Sequence, residues 1–275
     1  MIFDEPAGIL VAHATGIFGR LEVRDHDGVR SFWCGCLCQG AFRLTPATKD
    51  GAQPGPIPDA PYHLAWLLPA RQHPRGSILM AGLGCGAGAV ALASCLPDAR
   101  ITVVEIDPAV ITLALAHFPA LADAVRAGRI EIVRQDILEL AWSHRGDPWT
   151  FGLLDAFQTG PNSYHPAELL NALHGRCDEL WVNVLEVDDI LLTAAHTCAE
   201  LLTDCGWNAC AMIPVRDYDG SFTGNVLVGT AAISEHGSHP LPFADIDHLA
   251  VLRAREIITR LERLHRLWKP SHESE

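Results

Sequence analysis

Glycines and single carboxylates follow a series of apolar runs in the middle of the chain. The first is "ILMAGLGCGAG", in which Gly82, Gly84 and Gly86 separate a strand-like run from a helix-like run. Glycines at such a turn let the backbone approach a ligand closely, because they carry no side chain that would collide with it. The loop alone is ambiguous. Gly82, Gly84 and Ala87 also fit the dinucleotide pattern G-x-G-x-x-A, and a tight turn without a ligand has the same sequence.

A carboxylate at the end of the next apolar run narrows the choice of ligand for the glycine loop. Glu105 ends that run in "VVEIDP", at about the distance from the glycine loop where nucleotide-binding folds have an acidic residue. A carboxylate there accepts hydrogen bonds from the hydroxyls of a ribose. The combination predicts a ligand that contains a nucleoside.

Two further acidic residues continue the series. In "IEIVRQDIL", Asp136 either accepts a hydrogen bond from the exocyclic amine of an adenine, with Ile137 against the ring, or caps a helix N-terminus. In "TFGLLDAF", Asp155 is either a catalytic base or a cap of the following turn. Four such features at successive strand ends favour S-adenosylmethionine over a nicotinamide dinucleotide as the ligand.

Strand-like and helix-like runs alternate around these residues. The runs "SILMAG", "ARITVVEID", "RIEIVRQD", "TFGLLDAF" and "ELWVNVL" are typical of strands, and "GAVALASCL", "PAVITLALAHF" and "DILLTAAHTCAELLTDCG" are typical of helices. This alternation predicts an α/β fold with a doubly wound, Rossmann-like sheet, whose ligands bind at the carboxyl ends of the strands. "NACAMIPV" and "NVLVGTAAI" are predicted to close the sheet as a hairpin.

Two other segments flank this region. From about Gly8 to Leu44, short apolar steps alternate with polar ones between turn residues, which predicts antiparallel hairpins. A Pro- and Gly-rich stretch follows. We therefore predict a small antiparallel β domain with its linker over residues 1–60 and the α/β domain over residues 61–275. "ADIDHLAVLRAREIITRLERLHRLW" predicts a C-terminal helix packed on the sheet.

Composition argues against several functions. The 275 residues carry a formal net charge of −13, which opposes binding to a phosphate backbone, so no nucleic-acid partner is expected. The chain lacks an apolar run of the ~20 residues that a membrane helix needs. Its start, "MIFDEPAGIL", lacks the features of a signal peptide, so we expect no membrane partner and a cytoplasmic location. The nine cysteines are then expected to be reduced thiols.

Three of the cysteines are closely spaced. Cys34, Cys36 and Cys38 in "WCGCLCQG" share one face if the segment is a single strand. A zinc site would need a fourth ligand, and no second cluster is evident. We therefore expect a buried sheet face, since a free cysteine behaves as a small apolar residue, and no bound metal.

The chain resembles the spermidine synthases and their spermidine-synthase-like relatives, within the class I S-adenosylmethionine-dependent methyltransferase fold. The resemblance rests on a small N-terminal β unit followed by "YH", "GLGCGAG", "VVEIDPAVI", "RIEIVRQD" and "LLDAFQTGP". In that family an aminopropyl group passes from decarboxylated S-adenosylmethionine to an amine such as putrescine. Relatives of this type are often dimers, so the resemblance leaves a homodimer open.

The resemblance also implies roles for individual residues. Glu105 would hold the ribose, Asp136 would hold the adenine amine, and Asp155 would deprotonate and orient the attacking amine with help from Tyr62. Further candidates close to Tyr62 or Asp155 in sequence are His63, Gln158 and Tyr164 as substrate contacts and His165 as an acid or base.

Three positions depart from the family pattern. Cys85 in the glycine loop, Gln158 after Asp155 and Leu64 after the Tyr-His pair stand where family members typically carry carboxylates. A bound ammonium needs a compensating charge in a partly buried site, so these departures argue against ordinary spermidine synthase activity. A neutral Cys85 favours intact over decarboxylated S-adenosylmethionine. Gln158 cannot neutralise an ammonium, which favours an acceptor that is neutral or singly charged at that end.

The predicted function is a transferase that uses S-adenosylmethionine or its decarboxylated form. It would move a sulfonium-activated group, either methyl or an aminopropyl or aminocarboxypropyl chain, to a small nucleophile such as an amine. Three alternatives remain: a nucleoside-binding protein of the same fold without catalysis, a polyamine aminopropyltransferase proper, and a nicotinamide oxidoreductase.

Overall fold

The fold contains two β-sheets, seen in a computed structural model that describes residues 8–44, 63, 65–156, 166–185, 193–208, 211–216 and 222–230. The first sheet is antiparallel, with its strands in sequence order: β1 (Ile9–Gly16), β2 (Gly19–His26), β3 (Val29–Cys34) and β4 (Leu37–Arg43). Asp27 and Gly28 turn the chain between β2 and β3 with positive φ angles of 46° and 74°, as a tight hairpin turn requires. The predicted N-terminal hairpins are confirmed.

The second sheet has seven strands. They are β5 (Ser77–Ala81), β6 (Arg100–Glu105), β7 (Ile130–Arg134), β8 (Phe151–Leu154), β9 (Leu180–Leu185), β10 (Ala211–Arg216) and β11 (Phe222–Gly229). Their order is β10-β11-β9-β8-β5-β6-β7, with β5 to β9 parallel and β11 antiparallel to both of its neighbours. The predicted doubly wound sheet and its closing hairpin are confirmed. The strand order reverses between β5 and β8, the position where such folds bind ligands.

Seven helices connect the strands within the described residues. They are α1 (Leu67–Ala70), α2 (Ala87–Cys95), α3 (Pro108–His117), α4 (Pro119–Arg126), α5 (Ile137–Ser143), α6 (Pro166–Leu173) and α7 (Thr193–Asp204). Asp107 caps α3, accepting a hydrogen bond from Ala109 N at 2.8 Å, and Pro108 occupies the first helical position, where its missing N–H costs nothing. The short helix α4 follows α3 after a break at Phe118.

The two faces of the large sheet pack against different helices. Along β5, Ile78 and Met80 lie in the cluster that includes α2, α3 and α4, whereas Leu79 and Ala81 lie in the cluster that includes α5, α6 and α7. This alternation is the period of two expected of a strand. Burial on both faces explains why these strands read as continuous apolar runs in the sequence.

The small sheet shares the first of these clusters. Phe32 and Phe42 pack against Phe118, with ring centroids 6.2 and 5.8 Å away. At the tip of the β1–β2 hairpin, the Ile17 backbone N–H donates to Asp107 Oδ2 at 2.7 Å. The division at residue 60 stays a prediction, and the linker that contains it lies outside the described residues.

The three closely spaced cysteines do not lie on a single strand. β3 ends at Cys34, the chain turns at Gly35 and Cys36, and β4 begins at Leu37. Cys36 and Cys38 are exposed, so the predicted buried sheet face is wrong. The reason is the positive φ of 58° at Gly35, which allows a hairpin turn where the cysteine spacing predicts a continuous strand.

Two further expectations concern long helices. Within the described ranges, no single helix is both long and apolar enough to cross a bilayer; only α3 and α4 taken together across a 100° bend satisfy that criterion. The predicted C-terminal helix lies outside the described residues.

Candidate functional site

A cavity opens at the carboxyl ends of the parallel strands. The segments that follow β5, β6, β7 and β8 form one side of it. The small sheet provides an apolar wall opposite, formed by Phe18, Leu21, Phe32 and Leu37. Among the described residues that line the cavity there are four acidic side chains and no lysine or arginine. The cavity is therefore suited to a ligand that combines an apolar surface with positive charge.

The glycine loop lies where two pieces of backbone come close. Gly82 has a φ of +95°, and a Cβ built there would lie 2.6 Å from the carbonyl oxygen of Asp155. Gly84 has a φ of +52°, and its Cβ would lie 2.5 Å from the carbonyl oxygen of Gln39 in β4. Both positions thus require glycine for conformation and for space. The loop is held between the end of β8 and the small sheet.

Glu105 connects the glycine loop to the end of β6. Its Oε2 accepts from the Leu83 N–H at 3.1 Å and its Oε1 accepts from the Asp107 N–H at 2.8 Å. Burial raises the pKa of this carboxyl above its usual range, although the backbone donors act in the opposite direction. Each carboxylate oxygen has two acceptor positions, so Glu105 can hold the loop and still accept from a ribose hydroxyl.

The position of Asp136 is compatible with both of the predicted roles. It is the N-cap of α5, with Oδ1 accepting from the Leu138 N–H at 2.8 Å, and it also lines the cavity together with Ile137. Capping uses one carboxylate oxygen, so the cap does not exclude a hydrogen bond from Oδ2 to an exocyclic amine.

Asp155 directly follows β8, at the point where the strand order reverses. Its backbone N–H donates to Ala81 O at 3.0 Å, which fixes it beside the glycine loop. Its Oδ1 accepts from Asn183 Nδ2 at 2.7 Å. Burial raises the pKa of Asp155 to about 7, and the Asn183 hydrogen bond opposes this increase. A carboxyl group with such a pKa can accept a proton near neutral pH.

Two asparagines in a hydrogen-bonded chain with Asp155 were not predicted from the sequence. Asn183 lies in β9 and also donates to Asn225 Oδ1 in β11 at 3.1 Å. Both are buried polar residues. The signal was present, since "LWVNVL" and "GNVLVG" each place one asparagine inside an otherwise apolar strand. A buried amide of this kind requires partners.

Cys85 is buried outside the cavity, contrary to the prediction that it influences the choice of donor. The residue is completely buried and is not part of the cavity wall; a Cβ at Gly40 of β4 would come within 2.7 Å of its Sγ. Burial raises the pKa of this thiol, so it stays neutral. Cys85 is therefore not placed to select intact S-adenosylmethionine by direct contact.

His63 is a buried, neutral member of the cavity wall. It is 3% exposed, and burial lowers its pKa to about 3. Its ring meets Trp66 edge to face at a centroid distance of 5.1 Å. His63 can therefore contact a ligand but carries no charge at neutral pH. The other predicted acceptor-side residues, Tyr62, Gln158, Tyr164 and His165, lie outside the described residues, as does Leu64.

The thiols form no metal site in the described part of the chain. There, no group of three or more His, Cys, Asp or Glu side chains is arranged to hold a metal ion. Eight of the nine cysteines are described, and none of these eight forms a disulfide bond.

Comparisons with known proteins identify solved structures that have a similar fold. No protein family model matches the chain, and no curated protein matches it by sequence. Solved structures do match. A probable spermidine synthase from Corynebacterium glutamicum is 18% identical with a TM-score of 0.62, covering 82% of this chain and 81% of that one. The chain has the spermidine synthase fold.

Two further structures agree with this assignment. Spermidine synthase from Thermotoga maritima is 12% identical with a TM-score of 0.65, over 92% of this chain and 83% of that one. A spermidine synthase bound to the transition state analogue AdoDATO is also 12% identical, with a TM-score of 0.64 over 92% and 84% of the two chains. Together these matches confirm the predicted resemblance and fold class.

Proposed function

We propose that the protein is a transferase that binds S-adenosylmethionine or its decarboxylated form and transfers a sulfonium-activated group to a small amine. The observation that carries the proposal is the meeting of the glycine loop, Glu105, Asp136 and Asp155 around one cavity at the reversal point of the sheet. The fold shared with spermidine synthases supports it.

In this proposal, different residues hold different parts of the ligand. Glu105 accepts from the ribose hydroxyls, and Asp136 accepts from the adenine amine with Ile137 against the ring. The apolar wall of the small sheet excludes water from the other side. The positive sulfonium then lies among acidic side chains, where its charge is stabilised.

In this proposal Asp155 is the general base. An ammonium has no lone pair, so it must lose a proton before it can attack the carbon next to sulfur. Asp155 accepts that proton. The nitrogen lone pair forms the new N–C bond, the C–S bond breaks, and its electron pair remains on sulfur as a neutral thioether. Tyr62 and His63 contribute to holding the amine, with Gln158, Tyr164 and His165 as further proposed contacts.

The transferred group and the assembly are also proposals. Because Cys85 is buried away from the cavity, both donors stay open, and with them methyl, aminopropyl and aminocarboxypropyl transfer. We keep a cytoplasmic location, a small-molecule acceptor and a homodimer as proposals, without a nucleic-acid or membrane partner.

Mass spectrometry of the nucleoside product tests the function. The purified protein is incubated with S-adenosylmethionine, and separately with its decarboxylated form, each with a panel of small amines. Methylthioadenosine means that the carbon chain is transferred, and S-adenosylhomocysteine means methyl transfer. Asp155→Asn is the matched control for contaminating activity. Donor binding without any product would overturn the proposal in favour of a nucleoside-binding protein.

A further inference from the structure

Two buried asparagines connect Asp155 to the interior of the large sheet. Asn183 in β9 is 2% exposed and Asn225 in β11 is 7% exposed. Polar side chains at such positions cost free energy unless they are hydrogen-bonded. Leu227, two residues after Asn225, is the register partner of Asn183, so the two asparagines lie on neighbouring strands of the sheet.

The hydrogen bonds fix the orientation of the Asn183 amide. Its Nδ2 donates to Asp155 Oδ1 at 2.7 Å and to Asn225 Oδ1 at 3.1 Å. Its own Oδ1 has no hydrogen-bond partner within the described ranges. Both fixed contacts therefore come from the NH₂ group, which has two hydrogens to give. A flipped amide would direct Oδ1 at two other acceptor oxygens.

We propose that Asn183 and Asn225 are positioning residues that orient Asp155 for proton transfer. This inference rests on the proposed function for its catalytic meaning. Asn225 holds the Asn183 amide in one orientation, and Asn183 then occupies Oδ1 of Asp155. The second oxygen, Oδ2, is left to accept the proton from the substrate amine. The pair also stabilises the ionised carboxylate, because a hydrogen bond to a charged acceptor is stronger than one to a neutral acceptor.

Other titratable groups share the cavity with Asp155. Glu105 and Asp107 approach from the end of β6, Asp136 from the start of α5, and His63 and Cys34 from the side of the small sheet. Protonation of these groups also changes the local potential. The test must therefore observe Asp155 itself.

The titration of Asp155 can be followed by NMR in protein labelled with ¹³C at aspartate carboxyls. The resonance that is absent from Asp155→Asn assigns the signal. In Asn183→Ala we expect the midpoint to move up by about one to two pH units, because the hydrogen bond to the ionised form is lost. Asn225→Ala should move it in the same direction by less. Val226→Ala removes a completely buried side chain from the same strand and should leave the midpoint unchanged.

Turnover gives the second measurement. At neutral pH, Asn183→Ala should lower kcat about tenfold with little change in the KM for the donor, and higher pH should restore the rate. If Asn183→Ala does not fold, the titration of Asp155 and the turnover are both measured in Asn225→Ala. Unchanged Asp155 titration in these variants would overturn the inference. The NMR experiment needs no turnover, so an inactive wild type would reject the proposed function without deciding this one.

Discussion

Asp155 has a local environment unlike that of a surface carboxylate. It lies between the glycine loop and Asn183, and burial raises its pKa to about 7. Asparagine at this position keeps the size of the side chain but cannot accept a proton. We expect Asp155→Asn to lower kcat by about 10² to 10⁴-fold, the usual contribution of a general base, while the Kd for S-adenosylmethionine changes little. Steady-state kinetics and calorimetry of donor binding measure the two effects.

Equal turnover in wild type and Asp155→Asn would show that the carboxylate is structural. A parallel loss of turnover and donor affinity would instead indicate that the variant disturbs the neighbouring Gly82 backbone.

The raised pKa of Asp155 also predicts how stability changes with pH. The folded-state pKa of about 7 lies above the ordinary value of 3.8, so the folded protein binds this proton more tightly than the unfolded chain does. The resulting stabilisation is complete below the unfolded pKa and is lost as pH rises through about 7. The melting temperature of wild type should therefore fall relative to that of Asp155→Asn between pH 6 and pH 8. A constant difference over that interval would contradict the prediction.

Glu105 holds the glycine loop and is also proposed to bind the ribose. A single substitution affects both roles. Glutamine has one acceptor oxygen, so Glu105→Gln leaves either the Leu83 or the Asp107 N–H without its carboxylate partner. We expect donor affinity to fall about 10 to 100-fold and the melting temperature to fall by several degrees. Calorimetry and thermal unfolding test this. Unchanged donor affinity would remove Glu105 from the proposed ribose site.

The sequence predicts some site residues better than others, for physical reasons. Glu105, Asp136 and Asp155 could be placed at one edge because each ends an apolar run and parallel strands end together. Asn183 and Asn225 were missed because the strands themselves gave no indication of which neighbour would satisfy an isolated amide. The orientation of the Cys85 side chain depends on the contact between the glycine loop and β4. Strand periodicity does not specify that contact.

At the scale of elements, the glycine loop and β4 form one unit. Gly84 approaches the carbonyl oxygen of Gln39 so closely that a Cβ would lie 2.5 Å from it. Gly84→Ala should therefore separate the small sheet from the loop and weaken donor binding at least about tenfold, in addition to a backbone cost of about 1–2 kcal/mol. Gly128→Ala is the matched control, because its φ is +68° but nothing lies within 4 Å of its Cβ position.

Calorimetry and thermal melts of the two glycine variants distinguish the effect of a clash with Gln39 from the effect of a side chain at positive φ. The prediction is wrong if Gly84→Ala and Gly128→Ala lose the same stability and both bind the donor as wild type does.

The boundaries of elements were harder to predict than their existence. The alternation of strands and helices identified β5 to β9, since buried parallel strands give short apolar runs. The break at Phe118 and the separate helix α4 were not predicted, because Pro119 is as acceptable at the start of a new helix as after the end of one. The hairpin at Gly35 was missed because three cysteines at a spacing of two suggested a single strand.

At the scale of the whole molecule, the two sheets share one hydrophobic cluster. Phe118 joins them, since its ring contacts Phe32 and Phe42 of the small sheet from the end of α3 and is 2% exposed. We expect Phe118→Ala to lower the free energy of unfolding by about 3–5 kcal/mol and to leave denaturant unfolding as a single transition. Trp142→Ala, which removes a side chain that is 52% exposed, should change stability by about 0.5 kcal/mol or less.

Two separate transitions in wild type or in Phe118→Ala would show instead that the small sheet folds as an independent unit. Denaturant curves followed by tryptophan fluorescence report on both parts, because Trp33 lies in β3 and Trp181 lies in β9.

The apolar wall of the small sheet has a consequence for how such a protein can diversify. Phe18, Leu21, Phe32 and Leu37 face the cavity, while the glycine loop, Glu105 and Asp136 belong to another part of the chain. Substitutions in the hairpins can reshape one side of the cavity without altering the residues proposed to hold the nucleoside. A lineage with this fold can therefore vary the shape of the cavity through the hairpins, separately from the residues proposed to hold the nucleoside.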